Sequence, residues 1–167
     1  MYFEIVNQCA EQLERVLGFL KHAETHAAAK NIEPEIFLFE RLVPDMYPLV
    51  SQIQAACDYA EGGVANLSGR RPPRHSNDWH TIEQVRTQLR TTIDFMRSID
   101  EAEFKNSAGK SVRLPWKAAP IPAEVYLLQI VFANVYFHSG MVYSILRQGG
   151  VDVGKESFLG DVYRPDA

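Results

Sequence analysis

The segment from Pro122 to Gln148 constrains this chain more than any other. It is apolar on every side of a helical projection, yet it carries Asn134 and His138 one turn apart. A helix that apolar has to be enclosed by protein, and polar groups inside it need partners. This combination predicts a helix bundle with a polar centre in its core. The segment is long enough to span a bilayer, but Asn134, His138, Ser139 and Gly140 interrupt it, so it reads as a buried core helix.

The other periodic stretches supply three partners. Phe3, Val6, Cys9, Leu13, Leu17, Leu20 and Ala27 share one face of a first helix, from about Tyr2 to Ala29. Pro34 opens a second helical region, which Pro44 and Pro48 divide. A short helix is expected over Glu35 to Leu42 and a longer one from about Met46 to Leu67. Ser68 to Asp78 is a loop. Thr81 and Gln84 form a capping box ahead of a third helix that runs to about Ile99. Phe104 to Pro122 is not helical. Its turn at Asn106-Ser107-Ala108-Gly109 and its alternation at Val112-Arg113-Leu114 allow a short β-hairpin between helices three and four. Gly149-Gly150 stops the fourth helix, and Val151, Val153, Phe158 and Leu159 can dock on the bundle. Arg164 to Ala167 is expected to fray.

The expected architecture is all-α: one four-helix-bundle domain over the 167 residues. One bundle buries only part of the fourth helix. The tail, the Phe104–Pro122 segment or a second copy has to cover the rest, and a homodimer is the favoured cover. A net charge of −4 argues against nucleic acid as the main partner. No signal-peptide pattern and no membrane span is read, so a cytoplasmic location is expected. Cys9 and Cys57 lie within helical patterns and are read as small buried hydrophobes.

Several polar residues could carry chemistry. Asn134 and His138 can touch one object, but an amide is a poor ligand for zinc or nickel. Arg41 and Asp45 have ion-pair spacing, and the apolar surroundings of Asp45 suggest partial burial. His22 and His26 have the spacing of half a metal site but fall on the polar side of their helix. His75 and His80 are loop histidines and are expected to be exposed, with His80 at a pocket mouth as the exception.

His138-Ser139-Gly140 with Leu146-Arg147-Gln148-Gly149-Gly150-Val151 resembles the last helix of the DinB/YfiT-like superfamily. Phe39-Glu40-Arg41-Leu42-Val43-Pro44-Asp45-Met46 and Asn134-Val135-Tyr136-Phe137-His138 resemble an uncharacterised, domain-of-unknown-function branch of it. The resemblance covers nearly the whole chain. It implies a four-helix bundle, often dimeric, and in many members a divalent metal on three histidines. Only His138 matches one of those histidines. Asn134 stands at the second position and Gln52 near the third, while Ser139 replaces an arginine.

The resemblance therefore implies a degenerate metal site and, as the leading reading, a small-molecule pocket between helices two and four. His138 is the candidate general acid or base. Gln52, Asn134, Asp45 and Tyr143 are the candidate substrate-binding residues. A metal-dependent hydrolase or thiol-dependent transferase, with His138 as ligand beside Gln52 and Asn134, is a less favoured alternative. So is a structural dimer without catalysis. The cofactor is not legible.

Overall fold

The computed structural model describes residues 1–76 and 78–160. The expected fraying of Arg164 to Ala167 lies outside them. Four long helices form the bundle: α1 (Tyr2–Lys30), α3 (Leu49–Ser68), α4 (Ile82–Arg97) and the helix that ends as α6 (Ala133–Gln148). A one-turn helix α2 (Ile36–Phe39) lies between the first two. α1 packs on α4 and α6, and α3 packs on the same two.

On α1, Val6, Cys9, Leu13, Val16, Leu20, Ala23 and Ala27 recur every three or four residues and all are buried. Asn31 ends the helix in the left-handed region, φ 59°, with its N–H on the Ala27 and Ala28 carbonyls. The two helices expected in the second helical region are each shorter where they face one another. Glu40 is extended and closes α2. Pro48 disfavours helical geometry at Tyr47, so α3 starts at Leu49 rather than Met46. The Thr81–Gln84 capping box is present on α4. Glu35 Oε1 adds an acceptor for the Ile82 N–H at 3.3 Å, which ties α2 to the start of α4.

The strand pair forms, but not around the expected turn. β1 (Ser111–Val112) and β2 (Ile121–Pro122) are antiparallel, with Val112 opposite Ile121, and residues 113–120 connect them. Asn106 to Gly109 instead continue from a 3₁₀ turn at Glu101–Phe104.

The fourth helix is continuous from Ala123 to Gln148 but not regular. After α5 (Ala123–Val125) it widens into a π-helical segment, Tyr126–Phe132, before α6. Here Gly63 of α3 meets Val131, and a β-carbon on Gly63 would lie 2.5 Å from Val131 Cγ1. By length and composition this is the one described helix apolar enough to cross a membrane; one face packs against α1 and α3, but only 33% of its apolar window is buried, so the helix is less enclosed than its sequence predicts. The tail covers part of it. Val151 and Val153 are buried, and Phe158 of α7 (Lys155–Leu159) stacks on Phe19 and meets Tyr143 edge-on. Phe137 remains 56% exposed.

Candidate functional site

Gln52 of α3 and His138 of α6 meet across the interface between those helices. His138 Nδ1 lies 2.7 Å from Gln52 Oε1. Gln52 is buried, and its Nε2 donates to the Tyr47 carbonyl at 3.2 Å. The second bond fixes the amide, because only nitrogen can donate to a carbonyl. Oxygen then faces the imidazole, so Nδ1 carries the proton and Nε2 is left with the lone pair. Pro48 caps α3 in extended geometry, and this places the Tyr47 carbonyl over the first turn that contains Gln52.

Aromatic rings surround the imidazole. Tyr59 stacks on it, centroids 5.7 Å apart and planes 17° apart, and Phe137 meets it edge-on at 5.1 Å. Burial holds His138 below the ordinary histidine value, so it is neutral at pH 7.

Asn134 lies one turn away, but its Nδ2 donates to the Ile130 carbonyl at 2.7 Å. That carbonyl belongs to the π segment, where the widened turn disturbs α-helical pairing. The other two sequence candidates do not touch the pair. Asp45 is exposed rather than partly buried, and Arg41 bonds the carbonyls of Pro44 and Met46 instead of Asp45. Tyr143 packs with Phe19 at 6.1 Å and with Phe158, in a separate aromatic cluster. Arg147 faces Asp152.

The remaining histidines divide. His22 is exposed, and His26 packs against Phe37 rather than pairing with it. His80 bonds Asp78 at 2.7 Å on the surface. His75 departs from expectation: it is folded onto the bundle as part of a buried network between α3 and α4. Gln88 Nε2 lies 2.8 Å from His75 Nδ1 and 3.2 Å from Glu61 Oε1. The Thr92 hydroxyl donates to Glu61 Oε1 at 2.5 Å. Glu61 sets the Gln88 amide with nitrogen inward. His75 Nδ1 is then the acceptor, and Nε2–H points towards Glu61 and Asp58 at 3.8 and 3.9 Å.

Desolvation raises the carboxyl of Glu61, and that of Asp58, above the usual range. Cys57 lies against Thr92 in this network and is buried, as expected. A signal for the network was available in the sequence. Gln88 and Thr92 fall at i and i+4 on the apolar face of α4, with Val85 and Leu89, and face Glu61 from an otherwise apolar stretch of α3.

The comparisons place this geometry in a family. A model for a domain of unknown function, DUF1993, matches residues 1–159. The chain belongs to the DUF1993 family. It is also similar to the crystal structure of a DinB family member protein from Shewanella denitrificans. The TM-score is 0.91 at 29% identity, over 99% of this chain and 95% of that one. No curated protein matches the sequence.

This DUF1993 chain therefore has a DinB-like fold, and the three-histidine expectation can be tested on its own residues. They do not fit a transition-metal site. The two amides at the ligand positions are engaged, Gln52 with His138 itself and Asn134 with its own helix, so the donors do not converge on a point. Among the described residues, no group of three or more His, Cys, Asp or Glu side chains is arranged to hold a metal ion.

Proposed function

We propose that this DUF1993 protein binds a small molecule at the α3–α6 interface, with His138 Nε2 as the acceptor that receives it. The observation that carries this reading is the Tyr47–Gln52–His138 chain of hydrogen bonds. It sets the tautomer that leaves the lone pair on Nε2, and among the described residues that nitrogen has no hydrogen-bond partner. Where the ligand ionises at an N–H, O–H or S–H bond, His138 is the general base. Asn134 orients the ligand through the amide oxygen and the second N–H not used on Ile130. Tyr59 and Phe137 favour a ligand with a planar or apolar part beside the proton it donates.

A thermal-shift screen of small acids, phenols, thiols and heterocycles tests the reading against the wild type, His138→Ala and Gln52→Leu. A compound that stabilises the wild type and loses its effect in both folded variants supports it. Equal stabilisation of all three removes it and leaves Gln52–His138 as a register-fixing contact only.

We also propose that the protein self-associates through the exposed rings beside this pair. Phe137 is 56% exposed and Tyr47 73%, and a second copy over them would shield the edge of the His138 site. Sedimentation of the wild type against Phe137→Glu tests this, with a monomeric wild type as the contrary result.

A further inference from the structure

Charge in this chain is segregated. Residues 69–76 and 105–123 hold seven of its 17 lysines and arginines and none of its 21 acidic residues. The fold joins the start of the first segment to the second at the end of the bundle where α3 runs out, while His75 turns back along α3 towards Glu61 and Asp58. Ser107 Oγ and Lys110 Nζ both donate to the Leu67 carbonyl, at 2.9 and 3.0 Å. Arg70 pairs with Glu103 of the adjoining 3₁₀ turn at 3.3 Å. Lys110 and Arg70 are thereby engaged. Arg71, Arg74, Lys105, Arg113 and Lys117 are exposed, and among the described residues none has a carboxylate partner. Trp116 lies in the same stretch, on the 113–120 connection beyond the β1–β2 pair, and is 64% exposed between Pro115 and Lys117.

We propose that this end of the bundle docks on an anionic lipid surface, with Trp116 at headgroup depth and Arg71, Lys105, Arg113 and Lys117 against the lipid phosphates and carboxylates. Tryptophan prefers the boundary between apolar and wet phases, and basic side chains near an anionic leaflet each add attraction. The combination supplies the two signals, one apolar and one electrostatic, that peripheral attachment requires. The acidic remainder of the chain does not prevent this. End-on docking directs it away from the membrane, and beyond about 8 Å its repulsion is screened at physiological salt. Single-stranded nucleic acid fits less well. It calls for a groove that tracks the backbone with several stacking rings, whereas this patch has one exposed tryptophan and is bordered by Asp100, Glu101 and Glu103.

The test is vesicle flotation of the full chain with phosphatidylcholine alone, or with phosphatidylserine added. Binding is expected only with phosphatidylserine, with a blue shift of tryptophan emission, and it is expected to disappear at high salt. Each neutralised cation should weaken binding about fivefold, so R113Q with K117Q should weaken it by more than tenfold. Trp116→Ala should abolish the blue shift, because Trp79 is already buried. These side chains are exposed, so circular dichroism should show every variant folded. No binding to phosphatidylserine vesicles, equal binding to phosphatidylcholine, or tighter binding to a poly(dT) oligonucleotide than to vesicles overturns the proposal.

Discussion

Gln52 and His138 are 86 residues apart in sequence and 2.7 Å apart in the fold. The bond decides more than the position of a ring. Gln52 Nε2 is committed to the Tyr47 carbonyl, so Gln52 offers His138 only an acceptor. A buried amide thereby selects the tautomer of a half-buried imidazole, and a proline-determined helix start orients the amide.

The depressed pKa of His138 gives stability a defined pH dependence. Between its folded value and the ordinary 6.5, the unfolded chain binds more protons than the folded one. The contribution is therefore complete above pH 6.5 and is lost as pH falls through the folded value. Glu61 and Asp58 work in the opposite sense. Burial raises their carboxyls, so stability falls as pH rises past 4.5 for Glu61 and 3.8 for Asp58. Measured by urea midpoints from pH 7.5 down to 5.5, the stability of the wild type relative to His138→Gln should fall as the pH drops. A rise in the wild type's relative stability on acidification would contradict the burial of a neutral imidazole.

Metal binding should be absent in the wild type and recoverable by design. Chelator-treated wild type should show no His138-dependent change in Tm with zinc, nickel, iron or manganese. Gln52→His with Asn134→His puts imidazoles at all three positions of the family pattern. Zinc at about a thousand times its Kd should then add about 4 kcal/mol, several degrees for a chain of this size. A wild-type shift abolished by His138→Ala would show that the amides do ligate.

The close approach of α3 to the π segment predicts a sharp difference between two glycines. A β-carbon at Gly63 would meet Val131 Cγ1 at 2.5 Å and Cγ2 at 2.7 Å, so Gly63→Ala should destabilise by about 1–3 kcal/mol. Gly18 on α1 has nothing within 4 Å, and Gly18→Ala should stabilise by about 0.5–1 kcal/mol. Urea unfolding of both variants measures this, and equal effects would deny the close contact.

Both cysteines should be inert in the folded protein. Burial pushes the thiols of Cys9 and Cys57 up to about 12, which leaves a thiolate fraction on the order of 10⁻⁴ at pH 8. A chromogenic disulfide reagent should titrate no thiols in the native state and two after denaturation. Rapid native reaction at one site would mean that the helix covering it opens.

Legibility in the sequence followed the range of the interactions. The bundle was readable because its periodicity is local: the α1 face, the Thr81–Gln84 box and the Gly149-Gly150 stop each lie within a few residues. Asn134 is legible from its spacing to His138 on an apolar helix, whereas Gln52 enters the site only through the family resemblance. The tautomer was not readable, because it depends on a carbonyl at Tyr47 whose direction Pro48 sets. Nor was the π segment, since backbone widening has no composition of its own. His75 looked like an ordinary loop histidine because its partners, Glu61 and Gln88, lie on two other elements and only the fold brings them to it.

The most direct test of the central claim is ¹⁵N correlation spectroscopy of the His138 ring at pH 7.5, assigned with His138→Gln and repeated on Gln52→Leu. A proton on Nδ1 and an unprotonated Nε2 are expected in the wild type, with that preference lost once the Gln52 acceptor is removed. A wild-type ring protonated on Nε2, or one unchanged by Gln52→Leu, would contradict it.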